Sequence, residues 1–140
     1  TTAALAVGGY YPSYYGYTEQ YDGTSWTVKN PLNDPRYAVG CAGTTTAGLA
    51  IAGGIEGAPY MLPNTEEFDG TSWTEGEDLT DPRGTGVGCG TQTAALYCGG
   101  NYGTLSTPTW QQSVSNEEYN GTSWSEKNNG MERVGLKWQI

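Results

Sequence analysis

The sequence predicts an all-β protein assembled from copies of one small antiparallel sheet. A nine-residue motif occurs three times in 140 residues, as EQYDGTSWT from Glu19, EEFDGTSWT from Glu66 and EEYNGTSWS from Glu117. Repetition at a fixed period is typical of architectures in which one supersecondary unit packs on copies of itself. The composition agrees, because 22 Gly and 11 Tyr in a chain poor in Leu and Lys favour sheets over helix bundles.

Three further landmarks recur in register with this motif, at spacings of 45 to 51 residues. A diglycine ends an apolar run, a tryptophan closes the motif, and an arginine follows. The diglycines are Gly8-Gly9, Gly53-Gly54 and Gly99-Gly100, the tryptophans are Trp26, Trp73 and Trp124, and the arginines are Arg36, Arg83 and Arg133. The period is that of a repeat of roughly 50 residues.

Each unit divides into four short extended runs. The first follows the arginine and is rich in small residues, as in RYAVGCAG, and the second is apolar, as in TAGLAIAGG. The third and fourth flank an Asp-Gly or Asn-Gly pair at Asp22, Asp69 and Asn120, which is the strongest short-range hairpin signal. Four antiparallel strands per period, repeated in tandem, predict the blades of a β-propeller.

The diglycine, the aromatic beside the glutamates, the tryptophan and the arginine together resemble the kelch repeat family. The compact YDGTSW form is more similar to the kelch-like repeats of bacteriophage virion and tail proteins. This resemblance implies a kelch-type propeller, and it implies a location on a virion (phage tail, fibre or decoration) or on another extracellular particle.

The order of the strands predicts one propeller domain over residues 1–140 that is incomplete at both ends. The expected parts are strands two to four of a first blade at 1–30, a second blade at 34–77, a third at 81–127 and a closing strand at 133–140. Three blades are too few for a ring of ordinary curvature. We therefore expect a homodimer in which each chain gives its terminal strand to the other, making one six-bladed ring. The rival interpretation is a part of a longer multi-repeat chain.

The repeated residues are expected to build the fold and not to bind a ligand. The three tryptophans should pack between neighbouring blades. The three arginines should stack on aromatic rings or bind carbonyl oxygens there.

Several kinds of chemistry are excluded or disfavoured by composition. The chain has no histidine, so Ser-His-Asp and Cys-His catalysis and His-based metal sites are absent, including those of the copper oxidase with kelch blades. We expect no cofactor, no metal and no enzymatic activity. A net charge of -9 disfavours nucleic acid and anionic membranes as partners, and no apolar run is long enough for a membrane span.

Two groups of reactive side chains are expected to be structural. The pairs Glu66-Glu67 and Glu117-Glu118 could serve a carboxylate-only glycoside hydrolase, but adjacent strand residues point to opposite faces, which favours solvated edge positions. Cys41, Cys89 and Cys98 lack metal-site spacing and are expected to be small buried thiols, with a bridge between Cys89 and Cys98 left open.

The loops between second and third strands differ while everything around them repeats, and they are rich in aromatic residues. Variable loops on a rigid scaffold commonly bind partners. The candidate residues are Tyr10, Tyr11, Tyr14, Tyr15, Tyr60, Tyr102 and Trp110. They suit a protein interface, such as another virion protein, or the sugar rings of a host-surface glycan. The other interpretation is that they only pack the loops onto their own blades.

Overall fold

The computed structural model describes residues 2–57, 60–104 and 107–127, with the backbone alone for 103–104 and 107–110. The predicted closing strand at 133–140, with Arg133, lies outside these residues, and so does the side chain of Trp110.

The described residues form β-strands joined by turns and loops. The strands are β1 (Ala4–Tyr10), β2 (Tyr14–Tyr21), β3 (Trp26–Lys29), β4 (Gly40–Thr44), β5 (Ala47–Ile51), β6 (Thr65–Phe68), β7 (Trp73–Glu75), β8 (Val87–Thr91), β9 (Ala94–Cys98), β10 (Asn101–Thr104), β11 (Thr107–Gln112), β12 (Asn116–Tyr119) and β13 (Trp124–Lys127). Over this part of the chain, no helix is long and apolar enough to cross a membrane.

These strands make three blade-like antiparallel sheets and one extra hairpin. The first sheet has the order β1-β2-β3, the second β4-β5-β6-β7, and the third β8-β9-β12-β13. The all-β prediction is therefore confirmed, with the strand order expected for each repeat.

The segment that follows Gly100 differs from the prediction. It was expected to be a loop, but β10 and β11 pair as a separate two-stranded hairpin. The segment has no counterpart in the other two repeats, so the repeat pattern gave no reason to expect strands there. Its Thr, Tyr and Trp residues are types that are enriched in strands.

The repeated Asp-Gly and Asn-Gly pairs form the outer hairpin turns, as predicted. Asp22 Oδ1 accepts hydrogen bonds from the backbone N–H groups of Thr24 at 2.8 Å and Ser25 at 2.9 Å. Asp69 and Asn120 make the same two bonds in their turns. The following glycines have φ of 103°, 96° and 90°, a region that residues with a Cβ rarely adopt. The motif recurs because each sheet needs this turn.

Successive sheets pack face to face through the repeated tryptophans. Trp73 Nε1 donates a hydrogen bond to Thr18 Oγ1 of the first sheet at 2.9 Å. Trp124 Nε1 donates in the same way to Thr65 Oγ1 of the second sheet at 3.0 Å. Trp26 does not follow the expected packing, since it belongs to the first sheet and is 53% exposed. No described sheet covers that face.

Two hydrophobic cores lie in the spaces between the sheets. The first core joins Leu5 and Val7 of β1 to Ala50, Phe68 and Trp73 of the second sheet. The second joins residues of the second sheet to those of the third, and its central members are Leu49, Ile51, Tyr97 and Tyr119. The core of the molecule is therefore shared between sheets and lies in none of them alone.

The diglycines lie where the connection to the next sheet crosses the end of a second strand. Gly9 N donates to Arg36 O at 3.2 Å, and Gly53 N donates to Arg83 O at 3.2 Å. A Cβ added to Gly100 would lie 2.6 Å from the Gly84 carbonyl oxygen. A larger residue at Gly100 would push these two crossing chains apart.

Two substitutions test the packing role of the repeated tryptophans. Trp73→Ala should lower the free energy of unfolding by about 3 to 5 kcal/mol, because it removes a buried aromatic and its hydrogen bond to Thr18. Trp26→Ala should cost about 1 kcal/mol or less in a single chain, because half of the ring already faces solvent. Urea unfolding of dilute protein measures both, and equal losses would contradict the packing difference.

The outer turns should make part of the stability pH-dependent. Backbone N–H groups of the turn lower the pKa of Asp22 and Asp69 below the ordinary value of 3.8. Because the folded-state pKa is lowered, this contribution is present above that value and is lost as the pH falls through the lowered pKa. The variant Asp22→Asn/Asp69→Asn should therefore lose less stability than the parent as the pH falls below 3.8.

Asn120→Asp is the matched reverse change for this experiment. It should add acid sensitivity, since Asn120 occupies the same turn position without titrating. Urea unfolding across the acid range measures both changes, and parallel curves for all three proteins would contradict the explanation.

Candidate functional site

The glutamates that resembled a catalytic pair are buried ion-pair partners. Glu66 and Glu117 are fully buried, so the expectation of solvated edge positions is wrong for both. Glu66 Oε1 lies 2.5 Å from Arg36 Nη1, and Glu117 Oε1 lies 2.9 Å from Arg83 Nη2. Sequence reasoning missed the pairs because the partners are about 30 residues apart and recur as separate landmarks.

The same carboxylates hold the connections between sheets. Glu66 Oε2 accepts a hydrogen bond from Asn33 N at 2.7 Å, and Glu117 Oε2 accepts one from Thr80 N at 2.9 Å. Asn33 and Thr80 lie at corresponding points of the two connections, shortly before the paired arginines. Each buried glutamate thus holds the chain as it enters the next sheet. Both Glu66 oxygens accept hydrogen bonds, whereas Glu117 Oε1 makes the ion pair with Arg83 but accepts no hydrogen bond from the described residues.

The arginines use both contact types expected from the sequence. Arg36 Nε donates to the Ala52 carbonyl oxygen at 2.8 Å, and its Nη1 donates to the Asp34 carbonyl oxygen at 2.8 Å. The guanidinium of Arg83 lies over the Tyr97 ring, 5.2 Å from its centroid. Both arginines are buried, which fits a structural role.

The second glutamate of each pair points to the opposite face, as strand alternation requires. Glu67 Oε1 accepts a hydrogen bond from Tyr119 Oη of the third sheet at 2.6 Å. Burial, followed by this bond, raises the pKa of Tyr119 above its ordinary value. Adjacent glutamates therefore serve two different structural contacts and do not converge on one site.

The cysteines differ from their expected burial. Cys41 and Cys89 are exposed and Cys98 is half-buried, and all three are free thiols. Cys89 lies opposite Leu96 and Cys98 lies opposite Val87, so the hairpin does not place the two thiols directly opposite each other. Burial raises the pKa of Cys98. Within the described residues, no group of three potential metal ligands comes together.

The variable loops and the connections between sheets meet on one side of the molecule. Tyr37 pairs with Gly54, and Gly54 pairs with Met61. Gly84 pairs with Asn101 at the base of the extra hairpin. Antiparallel alternation of the strands places loops and connections on one side, and these bridges join two of the connections to the loops beside them.

The exposed tyrosines on this side form the candidate binding surface. We use the name tyrosine surface for five side chains: Tyr10, Tyr11, Tyr37, Tyr60 and Tyr102. Tyr10 is 53% exposed, Tyr11 is 82% exposed and Tyr102 is 41% exposed, while Tyr37 and Tyr60 are half-buried. The rings of Tyr10 and Tyr37 contact edge to face, with centroids 5.4 Å apart. Tyr102 Oη donates to Gln111 Oε1 at 2.7 Å, across the extra hairpin.

The structure divides the predicted tyrosine set into two groups. Tyr14 lies opposite Tyr10 in the β1–β2 pair and so shares its face. Tyr15 points to the other face of β2, where its ring stacks on Tyr17 with centroids 5.1 Å apart and planes 11° apart. Tyr37 was not among the predicted residues. The sequence did carry a signal for it, because the corresponding position of the next repeat is Gly84, so this position varies as the loops do.

Comparisons with known proteins report on the fold. No family model matches the chain, and no curated protein matches it. Among solved structures, that of YjhT resembles it with a TM-score of 0.67 at 11% identity, covering 83% of this chain. This chain spans 39% of the length of the YjhT chain. The similarity shows a shared arrangement of sheets.

The buried ion pair can be tested against its exposed counterpart. Glu66→Gln should lower the free energy of unfolding by about 3 to 5 kcal/mol, because it leaves the Arg36 charge buried without a carboxylate. Glu19 occupies the corresponding position of the first sheet and is exposed in the single chain, so Glu19→Gln should change the stability of dilute, single-chain protein little. Urea unfolding of both variants decides the matter, and a stable Glu66→Gln protein would contradict the role of the pair.

Proposed function

We propose that this chain is a non-enzymatic interaction module that binds a protein partner through the tyrosine surface. The observation that carries the proposal is the exposure of Tyr10, Tyr11 and Tyr102 on loops that are tied to a rigid repeated scaffold. Loops of this kind are where repeat proteins bind their partners.

The chemistry of these side chains favours a protein partner. Tyrosine offers a large apolar ring with a polar end, and it is enriched in the energetically important parts of protein interfaces. Tyr10 is held against Tyr37, and the Tyr102 hydroxyl is held by Gln111. Side chains that are already ordered lose less entropy on binding.

The remaining groups give little support to an enzyme. The chain has no histidine, and the two buried glutamates are bound to arginines and backbone donors. A general acid or nucleophile must be able to reach a substrate atom. Glu66 and Glu117 do not offer that access, since both are fully buried.

We propose further that the three sheets are blades of a β-propeller, completed to a six-bladed ring by a second copy of the chain. The first strands of the second and third sheets, β4 and β8, lie side by side and would be the inner strands of two blades. A Cβ on Gly88 of β8 would be 2.6 Å from the Cys41 carbonyl oxygen of β4. On the other side of β4 is a cleft of about 400 Å³, lined by residues such as Leu5 and Val7 of β1 and Ala42 of β4. An inner strand of the first sheet would occupy this place.

The segment proposed to fill this cleft is 133–140 of the second copy. It begins with Arg133, which corresponds to Arg36 and Arg83 in the repeat, and in this proposal it pairs with β1 and brings its arginine to Glu19. This chain spans 39% of the length of the YjhT chain. Such a difference in length is expected if the three sheets are part of a larger ring.

The proposed setting is a virion or another extracellular particle. This part of the proposal is supported by the resemblance of the YDGTSW repeats to kelch-like virion and tail proteins. Fold alone does not fix function, so the setting is secondary to the binding surface. The second candidate function is carbohydrate binding, which the 82% exposure of the Tyr11 ring favours, because exposed aromatic rings can stack on sugars.

The tyrosine surface is tested by comparing binding of matched variants. Purified particles or extract from the source should yield a protein that the parent retains and that the variant Tyr10→Ser/Tyr11→Ser loses, with affinity reduced roughly 30-fold for each lost anchor. Val114→Ser is the control, since Val114 is 42% exposed and lies outside the tyrosine surface. Equal retention by parent and variant would contradict the proposal.

A glycan array separates the two candidate functions. Binding of the parent to defined glycans, lost in the same double variant, would replace the protein partner with a carbohydrate. No glycan binding at high protein concentration would remove the second candidate.

A further inference from the structure

Both ends of the stack of three sheets carry exposed apolar side chains. We use the name leading face for the outer face of the first sheet, where Tyr17 is 64%, Trp26 53% and Val28 70% exposed. The trailing face is the outer face of the third sheet, where Val87 is 66% and Leu96 39% exposed. These five residues are more than half of the large exposed hydrophobic side chains among the described residues. Faces of this kind usually mark interaction sites.

Strand pairing assigns each residue to its face. Directly paired residues of neighbouring strands lie on one face, and alternate residues of a strand lie on opposite faces. Tyr21 pairs with Trp26, and Glu19 pairs with Val28. On the third sheet, Leu96 pairs with both Glu118 and Cys89. Thr18, which bonds Trp73, is adjacent to Glu19 and therefore faces the second sheet.

The chain itself shows twice how a leading face packs on a trailing face. In each sheet, the side with the tryptophan corresponds to the leading face, and the opposite side corresponds to the trailing face. Trp73 of the second sheet donates to Thr18 on the opposite side of the first sheet. Trp124 of the third sheet donates to Thr65 on the opposite side of the second sheet. At the second of these contacts, Tyr119 Oη also donates to Glu67. The interface thus has a fixed pattern of donors on the leading face and acceptors on the trailing face.

The two open ends present the same donors and acceptors in the corresponding positions. Tyr21 and Trp26 pack against each other with centroids 5.2 Å apart, as Tyr119 and Trp124 do at 4.9 Å. On the trailing face, Asn116 corresponds to Thr65. Its Nδ2 donates to the Val114 carbonyl oxygen at 3.4 Å, which leaves Oδ1 as an acceptor. Glu118 follows two residues later and corresponds to Glu67.

We propose that the trailing face of a second copy docks on the leading face of this chain, with Trp26 Nε1 donating to Asn116 Oδ1 of the second copy. In the same contact Tyr21 Oη, which in the single chain donates to the Gly23 carbonyl oxygen at 2.9 Å, donates instead to Glu118 of the second copy. Glu118 Oε2 is paired with Lys127 at 2.7 Å, and its Oε1 is the acceptor in this proposal. The inference rests on the proposed two-chain ring and adds the residues by which the copies recognise each other. Two such contacts, related by a twofold axis, close the ring.

A second copy fits better than an unrelated protein because the open ends complement each other position by position. At the second interface the Tyr119 hydroxyl faces the Glu67 carboxylate, and Tyr21 and Glu118 are the corresponding pair at the two open ends. At the first interface the same two positions hold Phe68, which has no hydroxyl, and Gln20, which has no carboxylate. Each copy has a net charge of -9, so long-range repulsion opposes docking. Salt screens such repulsion within about 10 Å at 0.1 M, and the dimer should therefore tighten as salt is added.

Sedimentation equilibrium on the full chain tests the docking. The parent should form dimers, and Trp26→Ala should raise the dissociation constant at least roughly 30-fold, as expected for an aromatic anchor. Trp26→Phe removes the N–H donor while keeping a ring, and it should raise the constant by about 2- to 10-fold. Asn116→Thr restores the acceptor of the two internal interfaces and should keep the dimer. Tyr11→Ser, on the tyrosine surface and 82% exposed, is the control.

Thiol labelling with a maleimide gives a second measurement on the same protein. Cys89 is exposed on the trailing face, so its labelling rate should fall as the protein concentration rises through the dissociation constant. In Trp26→Ala the rate should stay high at every concentration. This readout separates loss of docking from loss of folding, which circular dichroism checks in parallel.

The outcomes separate this inference from the proposed function. A dimer that Trp26→Ala leaves intact would overturn the docking contact, and a chain monomeric at all concentrations would overturn the second copy as occupant. Open head-to-tail polymers that Trp26→Ala dissolves would support the docking contact and contradict the closed ring. None of these results changes partner binding by the tyrosine surface, which the Tyr10→Ser/Tyr11→Ser variant tests separately.

Discussion

Neighbouring sheets of this protein bury their facing sides against each other, and this contact holds the fold together. A sheet of three or four short strands has no interior of its own, so the hydrophobic cores lie between sheets. Hydrophobic contact supplies the main driving force, but it does not by itself set the angle or register of two sheets. A tryptophan-to-threonine hydrogen bond adds a directional contact at both internal interfaces. The repeat in the sequence is therefore the repeat of an interface.

The buried ion pairs solve a second problem, which is how the chain passes from one sheet to the next. Burying two charges carries a large desolvation cost, which only good geometry and added hydrogen bonds offset. The pair of Arg36 and Glu66 meets that condition, because both partners make further hydrogen bonds to the backbone. Glu117 also binds the backbone of its incoming connection, but the guanidinium of Arg83 is held by charge and by the Tyr97 ring, without hydrogen bonds to the described part of the chain. The connections are thereby held rigidly. Backbone bridges join these connections to the loops of Tyr60 and Tyr102, through Tyr37 and Gly54 in one case and through Gly84 and Asn101 in the other.

Division of labour within the repeat follows from these contacts. Positions that recur serve sheet packing and chain crossing, and positions that vary lie on the loop side. The same logic explains the two ends, where recurring residues such as Trp26 lack the described neighbour that their counterparts have. Trp26 and Leu96 are exposed because their sheets stand at the two ends of the row of described sheets. Residues at the corresponding positions of the repeat are covered by a neighbouring sheet.

The sequence by itself determined the all-β class, the strand order within each sheet, the outer Asp-Gly turns and the side on which the variable loops lie. These features depend on local turn chemistry and on strand alternation, both of which are legible in a repeat. Tertiary structure alone decided the burial of Glu66 and Glu117, the exposure of Trp26, the extra hairpin at β10 and β11, and the separation of Tyr15 from Tyr10. Burial depends on neighbours that are distant along the chain, and a repeat shows which residues recur without showing which of them are covered.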